Sequence, residues 1–275
     1  RTEIVEAGGE FRLEELIVDE QVVVTISHEG YIKRTDVDSY RRQGRGGKGV
    51  RGGSTKEGDF LEHMFVVSTH DYLLVFTDRG RVYWLRVFDL PVMARTARGR
   101  SLANLLEMQP GEAHRAILAV REFQETYVFF ATAKGTVKKT PMNAFSRPRT
   151  SGIIAISLDP DDSLINVEQT SGDHEIVLGS REGMAVRFQE SDVREMGRNA
   201  SGVRGIKLGK TDEVIGAYVV KNSWKNAHLL VISAAGYGKR TEISEYKIQG
   251  RGGSGILTSK VTAKTGPVMA SQVVV

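Results

Sequence analysis

Five times along this chain a glycine sits in the same setting: an apolar run, a short polar turn, the glycine, then a second run alternating apolar with basic residues. The stretches are VVVTISHEGYIKRT, LLVFTDRGRVYWL, YVFFATAKGTVKKT, IVLGSREGMAVRF and LLVISAAGYGKRT. Their anchor glycines are Gly30, Gly80, Gly135, Gly183 and Gly236, spaced by 50, 55, 48 and 53 residues. Ten residues after each anchor stands a large apolar side chain: Tyr40, Leu90, Phe145, Val193 and Tyr246. A second glycine follows the anchor by 17 or 19 residues, as Gly49, Gly99, Gly152, Gly202 and Gly255. A repeat of this length limits the fold severely, because one unit cannot bury its own apolar face and must stack on its neighbours.

Each anchor stretch predicts a β-hairpin whose turn needs positive φ at the glycine. The connectors DFLEHMFVVST, GEAHRAILAVREF and DSLINVEQT each hold enough apolar residues for one further strand. Two hairpin strands with one strand on either side predict a four-stranded blade, and a period near 50 residues fits an all-β radial array. Short β-rich runs broken by glycine argue against a helical solenoid. A helix is conceivable only around SLANLLEMQ, where an apolar strand fits equally well. The units fall near residues 22–52, 73–106, 127–158, 176–208 and 229–260 of a single domain spanning 1–275. The stretch GPVMASQVVV, within a partial last blade at 261–275, predicts the first strand of a sixth blade whose hairpin is missing.

The chain has 275 residues, 40% of them apolar, enough for a full core. It has no cysteine, which excludes disulfides, thiolate zinc sites and cysteine nucleophiles. The first twenty residues are unlike a secretory signal, and no apolar run approaches the roughly 20 residues needed to span a bilayer. These features predict a cytoplasmic protein without a membrane partner. An Arg at position 1 and an ending inside a predicted strand suggest a piece of a longer polypeptide.

The net charge of +4 says less than its distribution. The five units hold 29 of the 38 basic residues but 11 of the 34 acids, so they carry +18 against −14 in the connectors. A positive surface repeated in phase suits a polyanion, since Lys and Arg at phosphates release condensed counterions. The blander explanation is that hairpins carry Lys and Arg to blunt exposed edges, but edge protection uses acids as freely as bases.

The stretch YRRQGRGGKGVRGG, residues 40–53, is rich in glycine and base and has no acid. A P-loop would need Ser or Thr after its lysine, a glycine five residues before it and a following helix. Lys48 is followed by Gly49 and preceded at that distance by Gln43, so a nucleotide site fails on residues and setting. A flexible linker would not recur at the same repeat phase, as QGRGGSG does at 249–255. An ordered loop is favoured, its backbone amides approaching phosphates and Arg45 and Lys48 adding charge.

Residues 43–49, QGRGGKG, resemble the Gln-Arg-Arg-Gly-Gly-Lys-Gly box of the C-terminal domain of DNA gyrase A. Gln43, Arg45, Gly46, Gly47, Lys48 and Gly49 match; Gly44 replaces an arginine, with Arg41, Arg42 and Arg51 flanking the loop. The resemblance continues through VVVTISHEGYIKR, STHDYLLVFTDRGRVY, ARTARGRSLANLL, FFATAKGTVKKT, SGVRGIKL and GYGKRT. The related C-terminal DNA-binding domain of topoisomerase IV lacks a true box, which favours gyrase.

The resemblance implies a six-bladed β-pinwheel, a propeller-like disc whose blades exchange strands and whose basic rim binds, bends and wraps duplex DNA. It implies a non-catalytic domain that presents DNA to the gyrase core for negative supercoiling in the bacterial nucleoid. The core comprises the rest of the gyrase A protein, with its catalytic tyrosine, together with the gyrase B protein. No cofactor is expected in this domain, ATP and magnesium acting elsewhere in the holoenzyme. Repeat phase assigns to the rim Lys33, Arg34, Arg81, Arg86, Lys138, Lys139, Arg187, Lys239 and Arg240 in the hairpins. Arg98, Arg100, Arg147, Arg149, Arg198, Arg204 and Arg251 hold the phase of the box.

Tyr40, Phe145 and Tyr246 predict blade core in preference to base-stacking platforms, and Trp84 and Trp224 fit no pattern. The six histidines show no metal-ligand spacing, and no nucleophile-elbow motif arranges a catalytic Ser. The rivals are a protein-binding propeller, expected to show a mixed-charge rim, and a propeller hydrolase or lectin, which would need carboxylates in repeat phase.

Overall fold

In the computed structural model, which describes residues 13–40 and 57–275, every anchor glycine closes a hairpin, with φ between 73° and 83°. The first hairpin joins β1 (Gln21–Ser27) to β2 (Tyr31–Asp36) and is followed by β3 (Leu61–Ser68). The second repeat holds β4 (Tyr72–Thr77), β5 (Arg81–Arg86), β6 (Arg100–Ser101) and β7 (His114–Val120). The third holds β8 (Tyr127–Thr132), β9 (Thr136–Pro141), β10 (Ile153–Ile154) and β11 (Leu164–Thr170). The fourth holds β12 (Glu175–Ser180), β13 (Met184–Gln189), β14 (Val203–Arg204) and β15 (Val214–Val220). The fifth holds β16 (His228–Ser233), β17 (Gly238–Glu242), β18 (Ile256–Leu257) and β19 (Val268–Val274).

The strands form five antiparallel sheets in the orders β3-β1-β2-β6, β10-β5-β4-β7, β11-β8-β9-β14, β15-β12-β13-β18 and β17-β16-β19. The second to fifth repeats therefore each lend a two-residue strand to the hairpin before them, as in Val203↔Val137 and Ile256↔Ala185. This exchange explains the second glycine of the repeat. Gly99, Gly152, Gly202 and Gly255 stand immediately before the lent strands with φ from 66° to 102°. A Cβ at Gly202 would lie 2.6 Å from the Val137 carbonyl oxygen, so only glycine lets the two backbones approach. The anchor glycine completes the joint from the other side: the Gly135 carbonyl accepts from the amides of Gly205 and Ile206 at 2.7 and 3.3 Å.

Two expectations need correction. Five sheets are present among the described residues, not six. The stretch GPVMASQVVV supplies β19, which pairs with β16 from His228↔Val274 to Ser233↔Val268 and so belongs to the fifth sheet. That sheet has three strands, since no described segment adds a short strand to β17. SLANLLEMQ forms no long helix; its Ser101 ends β6 and the rest turns through a 3-10 segment at Leu102–Asn104.

The apolar runs fail to alternate because both faces of a blade are covered. On β12, Ile176 and Leu178 join a core with Phe129, Val137 and Ile206 of the third and fourth repeats. Val177, on the opposite face, joins Leu229, Val231 and Tyr246 of the fifth. Fully burying each such side chain stabilises the fold by about 1.5–3 kcal/mol. Phe145 and Tyr246 are at most 2% exposed, as expected for blade core, whereas Tyr40 is only half-buried.

The chain packs as two compact units. One comprises residues up to Leu73 with Leu85–Leu105 and Ala119–Arg121; the other comprises Leu74–Trp84, Leu106–Leu118 and Glu122–Val275. Among the described residues no helix is long and apolar enough to cross a membrane.

Candidate nucleic-acid interface

The lysines of the first and third hairpins turn inward. Three residues past the anchor glycine, Lys33 is 2% exposed and Lys138 fully buried. The Lys33 ammonium donates to the carbonyls of Ala94, Arg95 and Ala97 in the loop of the second repeat. The Lys138 ammonium donates at 2.5 Å to both Ala155 and Arg198 and lies 5.2 Å from the Phe130 ring centroid. Burial pushes both amines down, helped by the charges of Arg95 and Arg198 respectively, and Lys138 falls to about 7.

One residue further on, the side chains tie the first four hairpins to the next repeat. Arg34 Nε donates to the Leu90 carbonyl at 3.0 Å and Trp84 Nε1 to the Phe145 carbonyl at 2.9 Å. Lys139 points its ammonium at the Glu190 carbonyl, 3.5 Å away. Arg187 donates to the carbonyls of Ile243 and Tyr246 and pairs with Glu175 at 2.6 Å. Three of these five carbonyl acceptors, Leu90, Phe145 and Tyr246, are the residues ten past the anchor. Trp84, which fitted no pattern in the sequence, takes its meaning from this phase. The shared +4 position was the available signal, obscured because indole and guanidinium look unrelated until both are seen donating to the same carbonyl position.

Lys33, Lys138 and Lys139 are thus withdrawn from the exposed set that repeat phase suggested, with their donors spent on backbone carbonyls. Arg81 donates to the Ser151 carbonyl at 2.7 Å, and Arg86 pairs with Glu14 between the rings of Tyr72 and Phe88. Lys239 and Arg240, on the β17 edge that receives no short strand, are exposed.

The loops that lead into the lent strands present cations differently. Arg100, Arg147, Arg149 and Arg204 are exposed. Arg98 and Arg198 are half-buried, the Arg98 guanidinium lying 4.0 Å from the Tyr31 ring centroid. Arg251 donates to the carbonyls of Asp192 and Arg204 at 3.2 and 2.7 Å. Its loop, QGRGGSG at 249–255, is ordered by contacts to the fourth repeat. Gln249 N donates to the Arg187 carbonyl and Gly252 N to the Gly205 carbonyl, while the Gly253 carbonyl accepts from Lys207 N. In this copy, amides expected to approach phosphates are engaged by protein carbonyls. The box itself, Gln43 to Gly49, with Arg41, Arg42 and Arg51, lies outside the described residues. Among the described residues no three His, Cys, Asp or Glu side chains gather as a metal site.

Comparison with known proteins places these features in context. The chain matches the family described as DNA gyrase C-terminal domain, beta-propeller, over residues 21–68, 71–107, 126–171, 174–221 and 227–266. The DNA gyrase A protein of Klebsiella oxytoca is 47% identical over 272 residues, which cover 98% of this chain and 31% of that protein. The DNA gyrase A protein of Escherichia coli (strain K12) is 46% identical with the same coverage. The chain thus spans about a third of the length of the curated relatives it matches. Among solved structures, the C-terminal domain of a DNA topoisomerase IV superposes with a TM-score of 0.82 at 28% identity, covering 94% of this chain and 79% of that one. A DNA gyrase A C-terminal domain gives 0.71 at 28% identity, covering 93% and 83%.

Proposed function

The chain belongs to the DNA gyrase C-terminal domain family, and from that premise we propose that it binds duplex DNA without base specificity and bends it into a chiral wrap. The observation that carries this reading is the set of exposed arginines in successive exchange loops: Arg100, Arg147, Arg149 and Arg204. Bending 20–30 base pairs by 40–90° costs about 1–6 kcal/mol, so a wrap needs many cheap phosphate contacts in series. Loops repeated once per blade are suited to provide them.

In this reading the wrapped segment is handed to the core formed by the rest of the gyrase A protein with the gyrase B protein, which makes strand passage directional and introduces negative supercoils. The catalytic tyrosine, ATP and magnesium belong to that core. The box residues Gln43 to Gly49 clamp phosphates where the wrap completes, with Arg45 and Lys48 as its charges.

The test is a topology assay. Relaxed circular DNA is incubated with the chain, relaxed again with a nicking-closing enzyme and stripped of protein. A shift toward positive linking number is expected, and an Arg45→Ala, Lys48→Ala double variant should lose the shift while keeping most of its affinity. Tight binding with no shift would mean that the chain coats DNA without wrapping it.

A further inference from the structure

Two exchange loops meet at one cavity. Asn143, Ser146, Arg147 and Arg149 of the third repeat and Arg198 of the fourth line a space of about 490 Å³. Among the described residues no carboxylate lines it, and residues 127–158 contain no acid at all. The fourth-repeat side is fixed by Lys138, whose ammonium holds the Arg198 carbonyl at 2.5 Å.

These arginines differ from those that hold the repeats together. Arg34, Arg81, Arg187 and Arg251 spend their guanidinium donors on carbonyls or a carboxylate. The guanidinium groups of Arg147, Arg149 and Arg198 meet no acceptor among the described residues. Three cations around one space repel each other, and a multidentate anion among them relieves the repulsion. The planar fork of arginine matches a phosphate oxygen pair in two parallel hydrogen bonds, and Ser146 and Asn143 add neutral donors.

We propose that this cavity is a seat for a single phosphate, where Arg147, Arg149 and Arg198 converge on one phosphodiester of a duplex backbone. The proposal rests on the DNA-binding reading but makes a narrower claim, that three arginines serve one phosphate. Counterion release distinguishes the cases, because the slope of log affinity against log salt is about −0.9 per phosphate neutralised.

The experiment measures duplex affinity of the 275-residue chain between 50 and 200 mM salt, for the wild type, each single Arg→Ala variant and the triple variant, after circular dichroism shows that all are folded. A shared seat makes the losses non-additive, and the triple substitution flattens the slope by about 0.9. Additive losses with a flattening of about 2.7 would overturn the seat in favour of three separate contacts. Normal wild-type binding with an unchanged triple variant would also overturn it while leaving the DNA reading intact. A wild-type chain with no duplex affinity would sink both. Inorganic phosphate, followed through the arginine side-chain N–H resonances, separates the sources of the anion. Saturation that competes with duplex supports a backbone-phosphate seat, and saturation that leaves duplex affinity untouched overturns it.

Discussion

Lys138 and Arg198 stand at one joint between the third and fourth repeats, share a charge sign, and meet opposite fates. The lysine projects from a hairpin strand, is fully buried, and donates its protons to backbone carbonyls, one of them that of Arg198 itself. The arginine projects from the exchange loop into an open cavity with two further guanidinium groups. The difference recurs through the described repeats. Lys33, Arg34, Lys138, Lys139 and Arg187 of the hairpins hold one repeat to the next, whereas Arg100, Arg147, Arg149 and Arg204 of the loops remain available to something outside the chain. A positive repeat phase therefore contains two populations, one structural and one accessible, and net charge alone cannot separate them.

The contrast breaks most visibly at Arg187. Its side chain and that of Glu175 are 16% and 14% exposed. Arg187→Ala leaves a mostly buried carboxylate without its cation and takes a donor from the Ile243 and Tyr246 carbonyls, at a cost of about 3 kcal/mol, seen as a lower denaturant midpoint. Arg240→Ala, at the same phase on the exposed edge of β17, should cost less than about 0.5 kcal/mol. Equal losses would mean that the joint between blades is not what makes the hairpin cation structural.

A second, intermediate effect lies in the pH dependence of Lys138, whose amine falls to about 7 in the fold from an ordinary 10.5. Below pH 7 the group is protonated in folded and unfolded chains alike, so it adds no slope. Between about 7 and 10.5 the unfolded chain holds the extra proton, and stability attributable to Lys138 rises with pH. The stability of the wild type relative to Lys138→Met should therefore increase over that window. A difference that stays flat from pH 6 to 10 would show the amine titrating normally.

The smallest effect is expected in the loops. Arg147→Ala with Arg149→Ala should change stability by no more than about 0.5 kcal/mol, since neither side chain supports the fold, while duplex affinity falls. A marked loss of stability would move these arginines into the structural population.

Much of the architecture was legible. Five hairpins, their turn glycines and, in four repeats, the buried residue ten positions on follow from local rules: a tight turn needs positive φ, and a stacked blade needs a large side chain at a fixed place. The lent strands were not legible in the residues, because β6, β10, β14 and β18 are two residues each and too short to show a period. GPVMASQVVV suggests a sixth blade because a strand's own residues do not say which hairpin it will join. The hairpin cations mislead for a related reason. Alternating apolar and basic residues ordinarily mark a strand with one face in water, whereas here the second face meets the next blade, whose carbonyls take the place of water.

By itself the sequence determined the repeat, the number of hairpins, the positions where only glycine fits and the concentration of positive charge in the repeats, because each is set by backbone sterics or by residue type at a fixed spacing. Only the tertiary structure decided which strand completes which sheet and which cations are spent, because both depend on the neighbour that a residue meets across a blade joint. Lys138 is structural and Arg198 accessible for that reason alone: carbonyls at hydrogen-bonding distance satisfy the first, and an open cavity surrounds the second.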